Sequence, residues 1–169
     1  MDELNTAQRV FVSYIDKSRE YYLAQGFGNP YRWAHNREAP FARLPRPLAA
    51  CRIGLVTTAM PLEGRDGVPP AEAPEKVAYA APLDPAPARL FTQDLAWDKE
   101  ATNTDDLGSY FPVHRLRELV ASGRIGSLSP RFYGVPTSYS QRQTNAIDAP
   151  ALLGWCREDS VDAALLVGL

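Results

Sequence analysis

The chain has 169 residues, 45% of them apolar and 22% charged, with 18 Lys and Arg against 20 Asp and Glu for a net charge of −2. That length suits one domain burying roughly 70% of its unfolded surface, and the mixed charge excludes a general basic field for nucleic acid or membrane. No apolar run approaches the ~20 residues that span a bilayer, the acidic start "MDELNTAQRV" reads as neither signal nor transit peptide, and two cysteines, Cys51 and Cys156, make no disulfide framework.

Both cysteines read as small buried hydrophobes in a protein of the reducing cytoplasm. In chain order, "NTAQ" at Asn5 to Gln8 has the form of a capping box. Val10, Phe11, Tyr14, Ile15, Tyr21 and Tyr22 then recur at helical spacing until Gly26 stops the run. The aromatic stripe is packing surface. Most of the 15 prolines fall in two blocks, Asn29 to Pro47 and Pro61 to Ala88. Proline removes donors and fixes φ, so neither block reads as a central strand or long helix.

"CRIGLVTTAM" (Cys51 to Met60) reads as a buried strand carrying Ile53, Leu55 and Val56. Thr57 and Thr58 fall near its carboxyl end, where open parallel sheets gather ligands. Their hydroxyls either donate to an anionic group or cap the following turn. "KVAYAA" and "RLFTQ" are short strand candidates. "YFPVHRLRELVASG" (Tyr110 to Gly123) predicts a helix with Pro112 in its first turn, Gly123 as its stop, and a buried stripe of Val113, Leu116, Leu119 and Val120. His114, Arg115 and Arg117 lie off that stripe and read as solvated. "GSLSPRFYGVPTSYSQRQ" (Gly126 to Gln143) reads as a loop carrying Arg131, Tyr133, Tyr139 and Arg142. Asp148 then caps a helix with Pro150 in its first turn and Leu152, Leu153 and Cys156 facing inward, and Val161 to Leu169 is a final strand.

These elements predict an α/β fold: a partial doubly wound parallel sheet flanked by helices, preceded by an N-terminal amphipathic helix. Residues 1–50 form the helix and proline-rich lead-in, and 51–169 the α/β domain. Glycine-rich phosphate loops, C-x-x-C, H-E-x-x-H and G-x-S-x-G are all missing, and two histidines make a zinc site unexpected. The cluster "DKEATNTDD" (Asp98 to Asp106) offers oxygens to a hard cation, yet lacks calcium-loop spacing and reads more simply as a solvated turn.

The stretch "NTDDLGSYFPVHRLRELVASGRIGSLSPRFYGVPTSYS" resembles the body of the selenoprotein B family of glycine, sarcosine, betaine and D-proline reductases. The similarity includes the Asn-Thr/Asp-rich turn, F-P, the R-L-R-E-L helix, and the segment with Ile125, Gly126, Leu128, Phe132 and Tyr133. "CRIGLVTTAM" is similar to that family's first strand, and "DSVDAALLVGL" to its G-V-D-A-V-x-L strand. Collinear similarity runs from about Cys51 to Leu169.

The resemblance implies a subunit, or N-terminal fragment, of a selenol- or thiol-dependent reductase that cleaves a small amine or amino-acid-like substrate. It also implies a protein partner, either another reductase subunit or a C-terminal half. The reactive selenocysteine or cysteine of a U/C-x-x-C pair follows the strand matched here by Val161 to Leu169. No nucleophile is therefore expected within this chain, which is expected to be inactive alone, and the pair belongs just beyond Leu169. A UGA codon read as stop would produce that boundary. A split or degenerate subunit that binds a chain carrying the thiols is the alternative, and a stand-alone ligand-binding domain is another. The candidate substrate-binding residues are Thr57, Thr58, Asn103, Thr104, Asp105, His114, Arg131 and Tyr133. Arg131 is the group suited to bidentate carboxylate recognition, and His114 to proton transfer.

Overall fold

A computed structural model describes residues 14–28, 34, 37–38, 42–61, 76–92 and 103–169. Two compact units divide the chain, Met1–Pro40 and Phe41–Leu169. In the first, helix α1 (Tyr14–Ala24) ends as the sequence predicts. Gly26 adopts φ +84, with Gly26 N–H bonding Leu23 O and Phe27 N–H bonding Tyr22 O. These are the two bonds of a Schellman cap, which needs the left-handed conformation that glycine takes without Cβ strain. Tyr21, Tyr22 and Phe27 are exposed and touch edge to face. The expected capping box, with Val10 and Phe11, lies outside the described residues.

The second unit is a mixed α/β domain built around β1 (Arg52–Thr57). One flank of β1 pairs with a strand in two pieces, β5 (Ser127–Leu128) along Arg52 and Ile53, then β6 (Arg131–Gly134) along Val56 and Thr57. The other flank pairs with β7 (Ala163–Val167), in register from Ile53↔Ala163 to Thr57↔Val167. All three pairings are parallel. Strand β3 (Tyr79–Pro82) extends the sheet by running antiparallel to β6, while β2 (Met60–Pro61) and β4 (Leu90–Phe91) form a separate antiparallel pair. "KVAYAA" and "RLFTQ" thus supply β3 and β4. The spatial order β3–β6–β1–β7 reverses direction at β1, the hallmark of double winding.

Alternation along β1 and β6 sorts their side chains to the two faces. Ile53 and Leu55 join Phe132, Phe111, and Val113 and Leu116 of helix α2 (Val113–Ala121) in one core, with Phe111 and Phe132 centroids 4.8 Å apart. Leu119 and Val120 pack against this core half-buried, completing the expected stripe. Pro112 stands one position before the helix, and Gly123, at φ +68, closes it with a second Schellman pair, Gly123 N–H to Val120 O and Arg124 N–H to Leu119 O. On the opposite face Gly54 leaves room for Tyr133 and Val161, either of which would stand 3.1 Å from an added Cβ.

Three expectations are corrected. Gly126 to Gln143 is not one loop, because it contains β5 and β6. Pro130 interrupts only the joint between them, where its carbonyl accepts from Leu83 N–H. Pairing with β1 overrides the turn-rich composition.

Asp148 does not cap a helix start either. The helix begins at α3 (Gln141–Gln143), capped by Ser140, passes through a π turn at Thr144–Asp148, and continues as α4 (Ala149–Glu158), with Leu153 half exposed.

The last strand is shorter than Val161 to Leu169 and is not covered on both faces. Ala164, Leu165 and Leu166 are exposed, Leu166 by 71%. An unbroken apolar run cannot by itself separate a central strand from an edge strand.

Candidate functional site

The parallel strands point their carboxyl ends to one rim of the sheet. There Thr57, 1% exposed, accepts from Ala59 N–H at 3.1 Å, closing a local hydroxyl turn. Thr58 Oγ1 accepts from Leu169 N–H at 2.8 Å and donates to Leu169 O at 3.4 Å, tying the exit of β7 to the exit of β1. Tyr79, opposite Gly134 in the β3–β6 ladder, donates its hydroxyl to Ala59 O at 2.6 Å. Its ring occupies the space a Cβ on residue 134 would need. Burial raises the Tyr79 phenol above its ordinary pKa, so it acts as a donor. Both threonines are therefore committed to backbone groups that shape the rim.

Asn103, Thr104 and Asp105 lie in a self-bonded loop elsewhere. Asn103 Oδ1 accepts from Asp105 N–H at 3.0 Å, Thr104 O accepts from Tyr110 Oη at 3.1 Å, and Asp105 pairs with Arg89 at 3.6 Å. Asp106 caps the following turn through Gly108 N–H. Burial raises the Tyr110 phenol too, in keeping with its donation to Thr104 O and Leu90 O. His114 is exposed on α2 and lines an open groove of about 530 Å³ with Ala86, Asp106, Leu107, Arg115 and Glu118. The Arg115–Glu118 ion pair already neutralises that rim.

The structure commits Arg131 to ion pairs within the chain. It stands at the start of β6, away from the threonines, and its guanidinium grips Asp159 through Nε at 2.8 Å and Nη2 at 3.0 Å, with Glu158 at 2.9 Å. Nε and Nη2 are thus committed to carboxylates of the chain itself, and each two-nitrogen edge of the guanidinium has at least one donor engaged. Asp159 also accepts from Tyr133 Oη at 2.6 Å and from Ser129 Oγ at 3.3 Å, and Ser129 bonds Tyr133 at 2.7 Å. Bonding to the Arg131 guanidinium holds the Asp159 carboxyl below the usual carboxylate range. Burial first, then Asp159, raises the Tyr133 phenol, and burial raises the neighbouring Cys156 thiol. A thiol so shifted is protonated and inert near neutral pH. Cys51 is fully buried at the amino end of β1, bonded to Arg46 O at 3.4 Å.

The structure thus brings Arg131 and Tyr133 together but leaves Thr57/Thr58, the Asn103 loop and His114 as separate sites. Sequence reasoning missed Asp159 and the burial of Asp148. Asp148 is 2% exposed, makes no cap bond, and has no hydrogen-bond or ion-pair partner among the described residues. Its Asp-Ala-Pro setting signals a helix start and hides that burial. Among the described residues no group of three or more His, Cys, Asp or Glu could hold a metal ion, and no helix is long and apolar enough to cross a membrane. Residues 93–102 of the acidic cluster and its lead-in lie outside the described residues. Comparison of the chain with protein-family models, curated proteins and solved structures finds no match.

Proposed function

We propose that this chain is the scaffold half of a selenol- or thiol-dependent reductase of the selenoprotein B kind, acting on a small amine or amino-acid-like substrate. A further polypeptide segment laid along β7 supplies the redox pair. One observation carries this reading: among the described residues β7 is an apolar edge strand, with Leu165 39% and Leu166 71% exposed, whose exit is held against β1 by Thr58. Proteins ordinarily shield such an edge with charge, proline or a covering element, and an added strand is the cover that satisfies its backbone.

The exit of β7 also lies where chemistry favours a nucleophile. At the carboxyl end of a parallel strand, the N-terminus of a following helix stabilises a chalcogenolate and lowers its pKa. The paired thiol or selenol would supply two electrons and end as a disulfide or selenenyl sulfide. The substrate C–N bond would break, and the nitrogen would leave as the amine. Neither Cys51 nor Cys156 is placed for that work, since one is sealed at the amino end of β1 and the other is a protonated thiol beside Tyr133.

The nucleotide sequence after the Leu169 codon tests the continuous form of the proposal. The expected outcome is an in-frame TGA, codons for Pro or Gly, a Cys codon two or three positions on, and another α/β half. If TAA or TAG stands there, the redox pair must come from a separate subunit. That subunit would stay bound through purification and oxidise dithiothreitol in the presence of an amine substrate. It would be released by Leu166→Lys, which places a charge on the docked edge. Failure of both forms defeats the proposal.

A further inference from the structure

A strand at the edge of a sheet presents a row of unpaired backbone donors and acceptors, and proteins guard it with charge, proline, a bulge or a cover. Among the described residues β7 has none of these. Ala163 to Val167 are uncharged and free of proline, and they pair with β1 without a break in register. Asp162, the ionised residue just before them, is turned inward, accepting from Arg52 N–H at 2.8 Å and pairing with Arg46 at 3.2 Å. No charge from Ala163 to Leu169 repels an approaching strand of the same sequence.

The two faces of β7 differ. Ala163 and Val167 stand beside Ile53 and Thr57 and pack against the α2 core. Ala164 and Leu166 stand beside Gly54 and Val56, on the face that carries Tyr133. Helix α4 covers that face toward β3, with Cys156 at the Tyr133 hydroxyl, and leaves the β7 flank bare. Ala164 is exposed, and Leu166 keeps 71% of its surface in water.

The order of side chains along β7 suits a second copy of itself. Small residues fill its first half and large ones its second: Ala163, Ala164, Leu165, Leu166, Val167. Antiparallel pairing about a twofold axis at Leu165 sets Ala164 opposite the partner's Leu166 and Ala163 opposite the partner's Val167. Directly opposite residues share a face, so every large side chain off the axis meets a small one. A slip of one residue loses this match, setting Leu165 against Leu166 in one direction and Asp162 against Val167 in the other.

We propose that β7 is the surface through which two copies of this chain associate, edge to edge and antiparallel, into one continuous sheet. A five-residue strand on each side falls short of the ~1,200–2,000 Å² of a standard interface, so the dimer is weak and concentration-dependent. The proposal stands on the edge strand and not on the reductase reading. A redox segment laid along β7 would compete with the second copy for the same backbone groups.

Sedimentation velocity of the full chain between about 5 and about 500 µM should show the sedimentation coefficient rising toward that of a dimer. Leu165→Lys and Leu165→Glu each set like charges face to face on the axis, and each alone should weaken association at least about tenfold. An equimolar mixture of the two should restore it. Cysteine placement reads the register. Leu165→Cys should form an intermolecular disulfide above the wild-type background, since opposed Cα atoms stand about 4.5–5.5 Å apart. Ala164→Cys should crosslink well only when mixed with Leu166→Cys. The proposal is overturned by a monomer at every concentration, or by a dimer untouched by both charged variants. A mixture of the folded charged variants that stays monomeric overturns it too, as does Leu165→Cys crosslinking no faster than Ala164→Cys. The two proposals fail separately. A β7 dimer with no redox pair in a continuation or partner would defeat the reductase reading alone, and a redox segment bound to a chain that never self-associates would do the reverse.

Discussion

Replacing Asp159 by Asn removes one charge and almost no volume from the cluster that joins β6 to the end of α4. An amide oxygen at the Oδ2 position still accepts from Arg131 Nε, Tyr133 Oη and Ser129 Oγ, more weakly than a carboxylate, while the amide NH2 replaces Oδ1 and cannot accept from Arg131 Nη2. A charge-assisted bond exceeds a neutral one by about 1 kcal/mol. The Arg131 side chain is 31% exposed and keeps Glu158, so solvent screening reduces its two bonds to about 1 kcal/mol together. Tyr133 is fully buried and contributes the rest, for a total of about 2 kcal/mol.

For a chain of this length that corresponds to a midpoint about 4–8 °C lower, with an unchanged urea m-value. The sign with pH follows from the depressed folded-state pKa of Asp159. Between that value and the unfolded value near ~3.9 the unfolded chain binds more protons, so the stabilisation is full above the unfolded pKa and is lost as pH falls through the folded one. Urea unfolding of both proteins from pH 7 down to pH 3 and below should show the gap narrowing only at the acid end. A gap under about 0.5 kcal/mol at pH 7, or one that stays constant into strong acid, would refute this account of the cluster.

Two further substitutions probe the backbone. Ser160 sits in the left-handed region at φ +53, at the C-terminal cap of α4, where Ser160 N–H bonds Arg157 O and Val161 N–H bonds Cys156 O. Ser160→Gly relieves Cβ strain and should stabilise by about 0.5–1 kcal/mol after the extra freedom of the unfolded glycine is deducted. An unchanged or lower thermal midpoint would show that the strain is absent. A Cβ on Gly126 would stand 2.8 Å from both Ala50 C and Cys51 O, and neither backbone atom can swing aside. Gly126→Ala should cost about 2 kcal/mol by urea unfolding, and a variant as stable as the parent would show that the β5 approach can widen freely.

Local chemistry alone determined much of the domain. The stops at Gly26 and Gly123, the α2 stripe, the buried strand at Arg52–Thr57 and the α/β class all follow from 3.6-residue or continuous apolar patterns bounded by glycine and proline, because these signals act within a few residues. Tertiary structure decided the rest. Arg131 is ten positions or fewer from several hydroxyls in sequence, yet its partner Asp159 is 28 residues away, so only the fold could convert a candidate ligand-binding residue into an internal clamp. Thr58 likewise meets Leu169 across 111 residues.

The apolar run Ala163–Val167 is compatible with a central or an edge strand. Its exposure depends on how many strands lie beside it, which no local pattern encodes. Asp148 shows the same limit most plainly: an Asp before Ala-Pro reads as a cap, and only a π turn three residues into an already formed helix turns it into a buried carboxylate.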